Sequence, residues 1–547
     1  MLRKLFLPVL FLLPGFLMAQ EGAVISGALQ VNANVFLKDS AINAYLQPQY
    51  QHQFFGGESW LNLNYSYQGF TAGLRYDMYL NSNLRDPNAS YTNRGIGRWF
   101  VKKTFDKFTA EVGYLYDQVG SGIIYRAYEQ RPLFIDNSLL GASLKYKFND
   151  QFSLRAFGGQ QRNAFDIYSG SVKGIVADGF FSLGSEENSL NLIPGIGFIH
   201  KTISEETMEK VVNGVKTYLD ADRFKPKYNS YAVSIYNTLN YKGFNWYVET
   251  AFKSNDVFFN PRAEKQEFGG GTTFGKLEYK SGSVLYTSLS YAAGKLGITL
   301  EAKRTQNFNF RIDPNLRLLR GLISYIPPMN RQNTYRLTAR YSPATQDISE
   351  QAYQADVRYK FTDKWSTLVN FSHINTLEGE KLFREFLTEV TYKPSSKLQV
   401  IGGLQLLNYN QEIYEQKPDV PIVQTVTPYV DVLYKFTRKK SLRTEVQYMK
   451  TDQDYGSWLF ALAEFGIAPN WIFEASGMYN IDPKKILGND TAPRKVLYPS
   501  IGAVYIKGSN RFQLRYVKQV EGVVCSGGIC RLEPAFSGVR FSLNSTF

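Results

Sequence analysis

Trp60-Leu61-Asn62-Leu63-Asn64-Tyr65-Ser66-Tyr67, a turn at Gln68-Gly69, then Phe70-Thr71-Ala72-Gly73-Leu74-Arg75-Tyr76-Asp77-Met78 reads as two strands joined by a tight turn. Leu61, Leu63, Tyr65 and Tyr67 alternate with Asn62, Asn64 and Ser66. After the turn, Phe70, Ala72, Leu74, Tyr76 and Met78 alternate with Thr71, Gly73, Arg75 and Asp77. Successive side chains of an extended chain point to opposite faces, so each run is a strand with one apolar and one polar face. The pattern returns at Phe108, Ala110, Val112, Tyr114, and at Phe512, Leu514, Tyr516 against Arg511, Gln513, Arg515. A soluble sandwich shows the same alternation. It does not need so many such strands, nor so many that end in an aromatic.

Those aromatics stand just before short turns. Examples are Tyr146-Lys147-Phe148-Asn149-Asp150, Tyr359-Lys360-Phe361-Thr362-Asp363, Tyr392-Lys393-Pro394 and Tyr434-Lys435-Phe436-Thr437. Aromatics at the water boundary, short turns on one side and longer loops on the other are what a membrane barrel requires. The totals agree. Tyr and Phe number 38 and 39 of 547 residues, yet the mean hydropathy is −0.28. A chain so aromatic and still polar on average suits an apolar outer face around a wet interior.

The N-terminus sets the expected compartment. Arg3 and Lys4 precede an apolar run from Leu5 to Met18, with Ala19-Gln20 at the expected cut. Residues 1–19 read as a secretory signal peptide, leaving 20–547 as one barrel. No later stretch offers 18 consecutive apolar residues, so no transmembrane helix is expected and a membrane can be crossed only by a closed barrel. The ten-residue strand period gives 24 to 26 antiparallel, up-and-down strands. Counted this way, residues 307–332 fall on the short-turn side, where their length is out of place. The end of the chain, with Val539, Phe541, Leu543 and Phe547 on one face, resembles the terminal-strand signal read by the barrel assembly machinery. The first strand is expected near Ala23, with no plug domain expected before it, unlike a TonB-dependent receptor. The expected location is the outer membrane, in contact with its lipid and lipopolysaccharide.

Two connections stand out. Gly120 to Asn137 carries Arg126, Tyr128, Glu129, Arg131 and Asp136 among Ile123, Ile124, Leu133 and Phe134. A solvated loop has no use for those apolar residues. The segment is expected to fold into the lumen with its charges paired to the wall, either restricting a pore or only bracing the barrel. Tyr325 to Gln346, with Pro327-Pro328, reads by default as a long turn, with a plug or a periplasmic docking element as alternatives. The two cysteines, Cys525 and Cys530, are expected to close a small loop by a disulfide.

Arg126-Ala127-Tyr128-Glu129-Gln130-Arg131 with Ile135-Asp136-Asn137, and Tyr325-Ile326-Pro327-Pro328 followed by Thr334-Tyr335-Arg336-Leu337 and Tyr341-Ser342-Pro343-Ala344-Thr345-Gln346, resemble an uncharacterised outer-membrane family of Bacteroidota, known as a domain of unknown function. The resemblance covers nearly all of the chain after residue 19. It implies a barrel and brings no activity, substrate or catalytic residue.

Enzyme chemistry finds little support. His52, His200 and His373 are scattered, and there is no Gly-x-Ser-x-Gly, His-Glu-x-x-His or Walker motif. No cofactor or metal is expected. The net charge of +14 is dispersed, which argues against nucleic acid. A barrel of 24 to 26 strands would leak unless its own loops or a protein partner filled it. Two functions follow as expectations: a transport or pore protein with a loop-restricted lumen, in which Arg75, Arg155, Arg511 and Arg515 favour anions, or a non-conducting subunit of an envelope assembly, export or anchoring complex.

Overall fold

The alternating strands close on themselves. The computed structural model describes residues 22–185, 188–317, 320–345, 348–484, 494–526 and 529–547, with 524–526 and 529–530 described by their backbone alone. Its 24 barrel strands form one antiparallel up-and-down sheet. The first, Val24–Phe36, pairs with Phe55–Tyr67 on one side and with the last, Phe536–Thr546, on the other. That pairing is the seam. One strand is broken at Phe180: Asp166–Gly179 and Phe181–Leu183 both pair with Leu190–Thr202. Closure leaves no strand edge in the sheet, which is what lipid demands of the backbone.

The alternation sorts side chains by face. Leu74, Tyr76 and Met78 are exposed, whereas Arg75 and Asp77 between them are buried inside. Ile235, Phe252, Leu285, Ile501 and Leu514 are each more than half exposed on the outer wall. So continuous an apolar belt requires a lipid surround. Aromatics ring the short-turn rim in touching pairs: Trp365 with Tyr392 at 4.2 Å, Trp471 with Tyr505 at 4.6 Å, Tyr359 with Phe361 at 4.9 Å. The protein is an outer-membrane barrel.

One hairpin stands above the rest. Its strands Phe244–Gln266 and Thr272–Ala293 have 23 and 22 residues, against 13 in the neighbouring Asn229–Tyr241. At about 3.4 Å per residue it rises roughly 30 Å past the rim. Helix Glu205–Lys216 leans on it through Val211, Val215 and nearby Tyr218, against Val257 and Leu277. The helix is started by Ser204, whose hydroxyl accepts from the Thr207 amide at 3.2 Å.

The lumen is filled at one end. In Leu398–Tyr409 the buried inward residues, Gln405, Leu407 and Tyr409, all lie toward the long-loop rim. In Val423–Lys435 every second residue from Val423 to Asp431 is buried, and burial stops before the short turn. The filling comes from residues 116–138 and from 307–317, 320–345 and 348–349.

The second of these corrects the expectation from strand counting. Leu296–Gln306 leaves the short turn at 294–295 and ends at the opposite rim, so 307–349 lies on the long-loop side. Nor is Tyr325 to Thr345 a plain turn, because it enters the lumen. Tyr335, Leu337, Ala339 and Tyr341 alternate with Arg336, Thr338 and Arg340 as a strand would, yet the run folds as successive turns, with the Ala339 amide bonded to the Tyr335 carbonyl at 3.0 Å. The expected signal peptide, residues 1–19, and Gln346 lie outside the described residues.

Candidate functional site: two inward segments that meet in the lumen

Strands Phe108–Leu115 and Leu139–Lys147 pair up to Leu115 opposite Leu139. The connection between them then turns into the barrel. Val119, Ile123, Ile124 and Tyr125 are fully buried, in one apolar core with Phe308, Phe310, Ile323, Ile326 and Leu337 of the second segment. The wall facing them is apolar too, with Val172, Ile199, Ala232, Ala251 and Val284 in the same core. The two segments are joined by backbone bonds, Arg126 amide to Ile323 carbonyl at 2.9 Å and Tyr325 amide to Gly122 carbonyl at 3.0 Å. They form a single plug.

The charged residues of the first segment hold it to the wall. Arg75 donates to Asp77 at 2.6 and 2.9 Å, to Glu129 at 2.6 Å and to Asp136 at 3.0 Å. Arg162 joins Asp136 and, at 3.2 Å, Asp77. Asp136 also accepts from Tyr116 at 2.9 Å and Ser138 at 2.8 Å. Burial alone would push the Asp136 carboxyl up. Arg162, Arg75 and the Ser138 hydroxyl outweigh burial and hold it below the ordinary carboxylate range. Gly97, at a bulge in Tyr91–Thr104, makes room for this cluster, because a Cβ there would lie 1.9 Å from the Asp77 carboxylate. Arg131 binds Glu129 at 3.1 Å and Gln30 at 2.8 Å.

Arg126 stands apart from these ion pairs. Its guanidinium lies between the rings of Tyr128, at 4.8 Å, and Tyr325, at 4.2 Å, one from each segment. The Tyr128 amide donates to Asn137 Oδ1 at 2.6 Å.

The second segment has almost no secondary structure of its own, so its buried carbonyls need donors from elsewhere. Wall lysines supply them: Lys253 to Asn309 at 2.9 Å, Lys201 to Arg311 at 3.0 Å and Lys303 to Pro327 at 2.7 Å. Lys201 is also paired with Asp256 at 2.6 Å, and Lys303 with Glu350 at 2.7 Å. Gln447 accepts from the Leu337 amide at 2.7 Å, and Gln405 donates to the Thr338 carbonyl at 3.0 Å. Sequence reasoning missed these lysines. Their only trace is a lysine at an inward position otherwise lined by Ile199 and Ala251.

The other residues singled out fall elsewhere. Arg155 pairs with Asp117 at 2.5 Å at the foot of the first segment, Arg515 pairs with Glu474, and Arg511 donates to Gln513 at 3.1 Å. Cys525 and Cys530 sit opposite each other in the hairpin Gly522–Ser526 and Ile529–Glu533, while their side chains lie outside the described residues. His200 stacks on Tyr231 and His373 on Phe371, on different strands, and His52 lies in a rim loop. Among the described residues no group of three or more His, Cys, Asp or Glu could hold a metal.

A family model described as a family of unknown function (DUF6029) matches residues 2–547. No curated relative matches the chain. Among solved structures, the P pilus usher PapC translocation pore is 9% identical over 96% of this chain and 99% of its own, with a TM-score of 0.40. A mutant of the ferric enterobactin receptor PfeA from Pseudomonas aeruginosa, in complex with enterobactin, is 9% identical over 96% and 82%, with a TM-score of 0.42. The ferric preacinetobactin receptor BauA from Acinetobacter baumannii is 10% identical over 95% and 80%, with a TM-score of 0.40. The likeness is one of barrel architecture alone.

Proposed function

The chain belongs to the family of unknown function DUF6029, and we propose that it is an outer-membrane transport or pore protein whose lumen is restricted by its own loops. One observation carries this reading. A barrel wide enough to pass solutes holds a plug at its long-loop end only, while the inward wall below it is polar, with Asn62, Asn64, Glu301 and Glu464. Long loops face the outside in such barrels, so the closure lies at the outer mouth and the vestibule opens to the periplasm. Arg126, Tyr128, Glu129, Arg131 and Asp136 are then the residues that hold the gate shut. The protein is made in a Gram-negative cell of the Bacteroidota. Residues 1–19 are removed as a signal peptide, the barrel assembly machinery inserts the chain beside lipopolysaccharide, and Cys525 and Cys530 are oxidised to a disulfide. The chain has no catalytic role.

A second reading is a non-conducting barrel subunit of an envelope assembly, export or anchoring complex. It is favoured by the tall hairpin, whose tip carries Phe268 and Phe274 at 69% and 70% exposure, well outside the lipid. Solute entry into proteoliposomes separates the two. Transport predicts little entry through the wild type and size-limited entry once Arg75→Met loosens the plug. If neither form admits any solute, and detergent extraction of native membranes yields a stoichiometric partner lost on deletion of 267–271, the subunit reading replaces it.

A further inference from the structure

The plug touches the seam through Arg131, which donates to Gln30 of the first strand at 2.8 Å, and leaves the space beside that contact unfilled. Between it, the seam strands and the hairpin 522–533 lies a cavity of about 280 Å³, room for a small molecule rather than a polymer. Arg131, Arg515, Arg531 and Arg540 line it, against two carboxylates, Glu58 and Glu533. Arg131 and Arg515 already have partners in Glu129 and Glu474. Arg531 and Arg540 make no ion pair among the described residues. Arg531 donates Nη1 to the Pro132 and Leu84 carbonyls at 3.0 and 3.4 Å, and its buried Nε has no partner. Arg540 makes one long bond, Nη1 to Gln519 at 3.3 Å, and lies 4.0 Å over the Phe536 ring. The carboxylates are bonded to neutral groups, Glu58 to Ser82 at 2.5 Å and Glu533 to Gln519 at 2.6 Å.

A guanidinium has five donors, and leaving them unmet in a buried place is costly. An oxyanion answers them two at a time, since the planar fork of arginine matches carboxylate and phosphate oxygens. Glu58 and Glu533 are already bonded to Ser82 and Gln519, which leaves the Arg531 and Arg540 forks to an incoming anion. We propose that the seam cavity is a binding site for a small oxyanion, a carboxylate or a phosphate, gripped by Arg531 and Arg540 within the field of Arg131 and Arg515. The site stands whether or not the barrel conducts. Its occupant also touches the plug, because Arg131 and Pro132 belong to the inward segment and Arg531 is bonded to the Pro132 carbonyl. A bound anion therefore straps the plug, the seam and the hairpin together.

The test is calorimetric titration of the detergent-solubilised full chain with inorganic phosphate and, separately, with succinate, at constant ionic strength in chloride. Saturable binding of either anion is expected, with phosphate alone assigning phosphoryl and succinate alone assigning carboxylate chemistry. Arg540→Gln and Arg531→Gln should each weaken it about tenfold or more. Arg358→Gln removes the same charge from a lumen-facing position remote from the seam and should leave the affinity within about twofold. Native-like folding is checked by faster gel migration without heating. Should a glutamine variant fail that check, Arg540→Lys keeps the charge, loses the fork and should still weaken binding. No saturable binding of either anion to the wild type up to millimolar concentration overturns the site. So does equal weakening by Arg358→Gln, which would mean bulk charge alone.

Discussion

Replacing Arg75 by Met is the sharpest test of how the plug is held. The side chain is almost fully buried and bonds three carboxylates, Asp77 on its own strand and Glu129 and Asp136 on the inward segment. Methionine fills similar volume and takes away every donor. Breaking a buried pair on one side costs about 3–5 kcal/mol, because the charge left behind has lost its partner. Here the lower end applies. Arg162 still reaches Asp77 and Asp136, and Arg131 still reaches Glu129. About 3 kcal/mol corresponds to roughly two orders of magnitude in an opening equilibrium. The loss is local, since the strands on both sides keep their ladders. Native-state hydrogen exchange on peptides spanning 123–136 should therefore accelerate about a hundredfold, while peptides from the wall opposite, such as 423–431, stay within a few-fold of wild type. Exchange in 123–136 unchanged to within threefold would refute the reasoning, and the apolar core alone would then hold the segment.

Three further outcomes follow from the same geometry. The Asp136 carboxyl is held below its ordinary value of 3.8. Its contribution is therefore complete above that pH and is lost as pH falls through the lower folded value. Exchange in 129–136 should be flat from neutrality to about pH 5 and rise only in stronger acid; a rise beginning near neutrality contradicts it. Gly97→Ala places a methyl group against the Asp77 carboxylate and should destabilise the plug by about 1–3 kcal/mol, read as a lower urea midpoint for the exchange of 123–136; an unchanged midpoint would show that Asp77 can move. Lys303→Met removes the donor to the Pro327 carbonyl and the partner of fully buried Glu350. It should speed exchange in 322–345 more than in 123–136, and equal acceleration of both would mean that the plug opens as one unit.

What the sequence revealed followed physical period. Leu61, Leu63, Tyr65 and Leu74, Tyr76, Met78 could be assigned to the lipid face because a strand has period two and the two solvents differ so sharply. Residues 120–137 were conspicuous because Ile123, Ile124 and Leu133 have no place in a solvated loop. For the run Tyr335 to Tyr341 the sequence offered a long turn by default, with a plug or a docking element as alternatives. Its alternation belongs to a strand, and only the closed ring shows that there is no place for it in the wall. Lys201, Lys253 and Lys303 were hidden for another reason. A lysine aimed at lumen water and a lysine aimed at a carbonyl of an incoming coil look the same in sequence. The seam cavity joins residues from both ends of the chain, Gln30 and Glu58 with Arg531 and Arg540, and no local pattern connects them.

The claim that the barrel is closed by its own inward segments is tested most directly by single-channel conductance in planar bilayers. The wild type is compared with a chain in which residues 120–137 are replaced by a short Gly-Ser turn. Leu115 and Leu139 already face each other, so the hairpin can close without them. The wild type should show little or no conductance and the variant a large, steady one. Wide, steady conductance from the wild type that the replacement leaves unchanged would mean that these segments do not close the barrel.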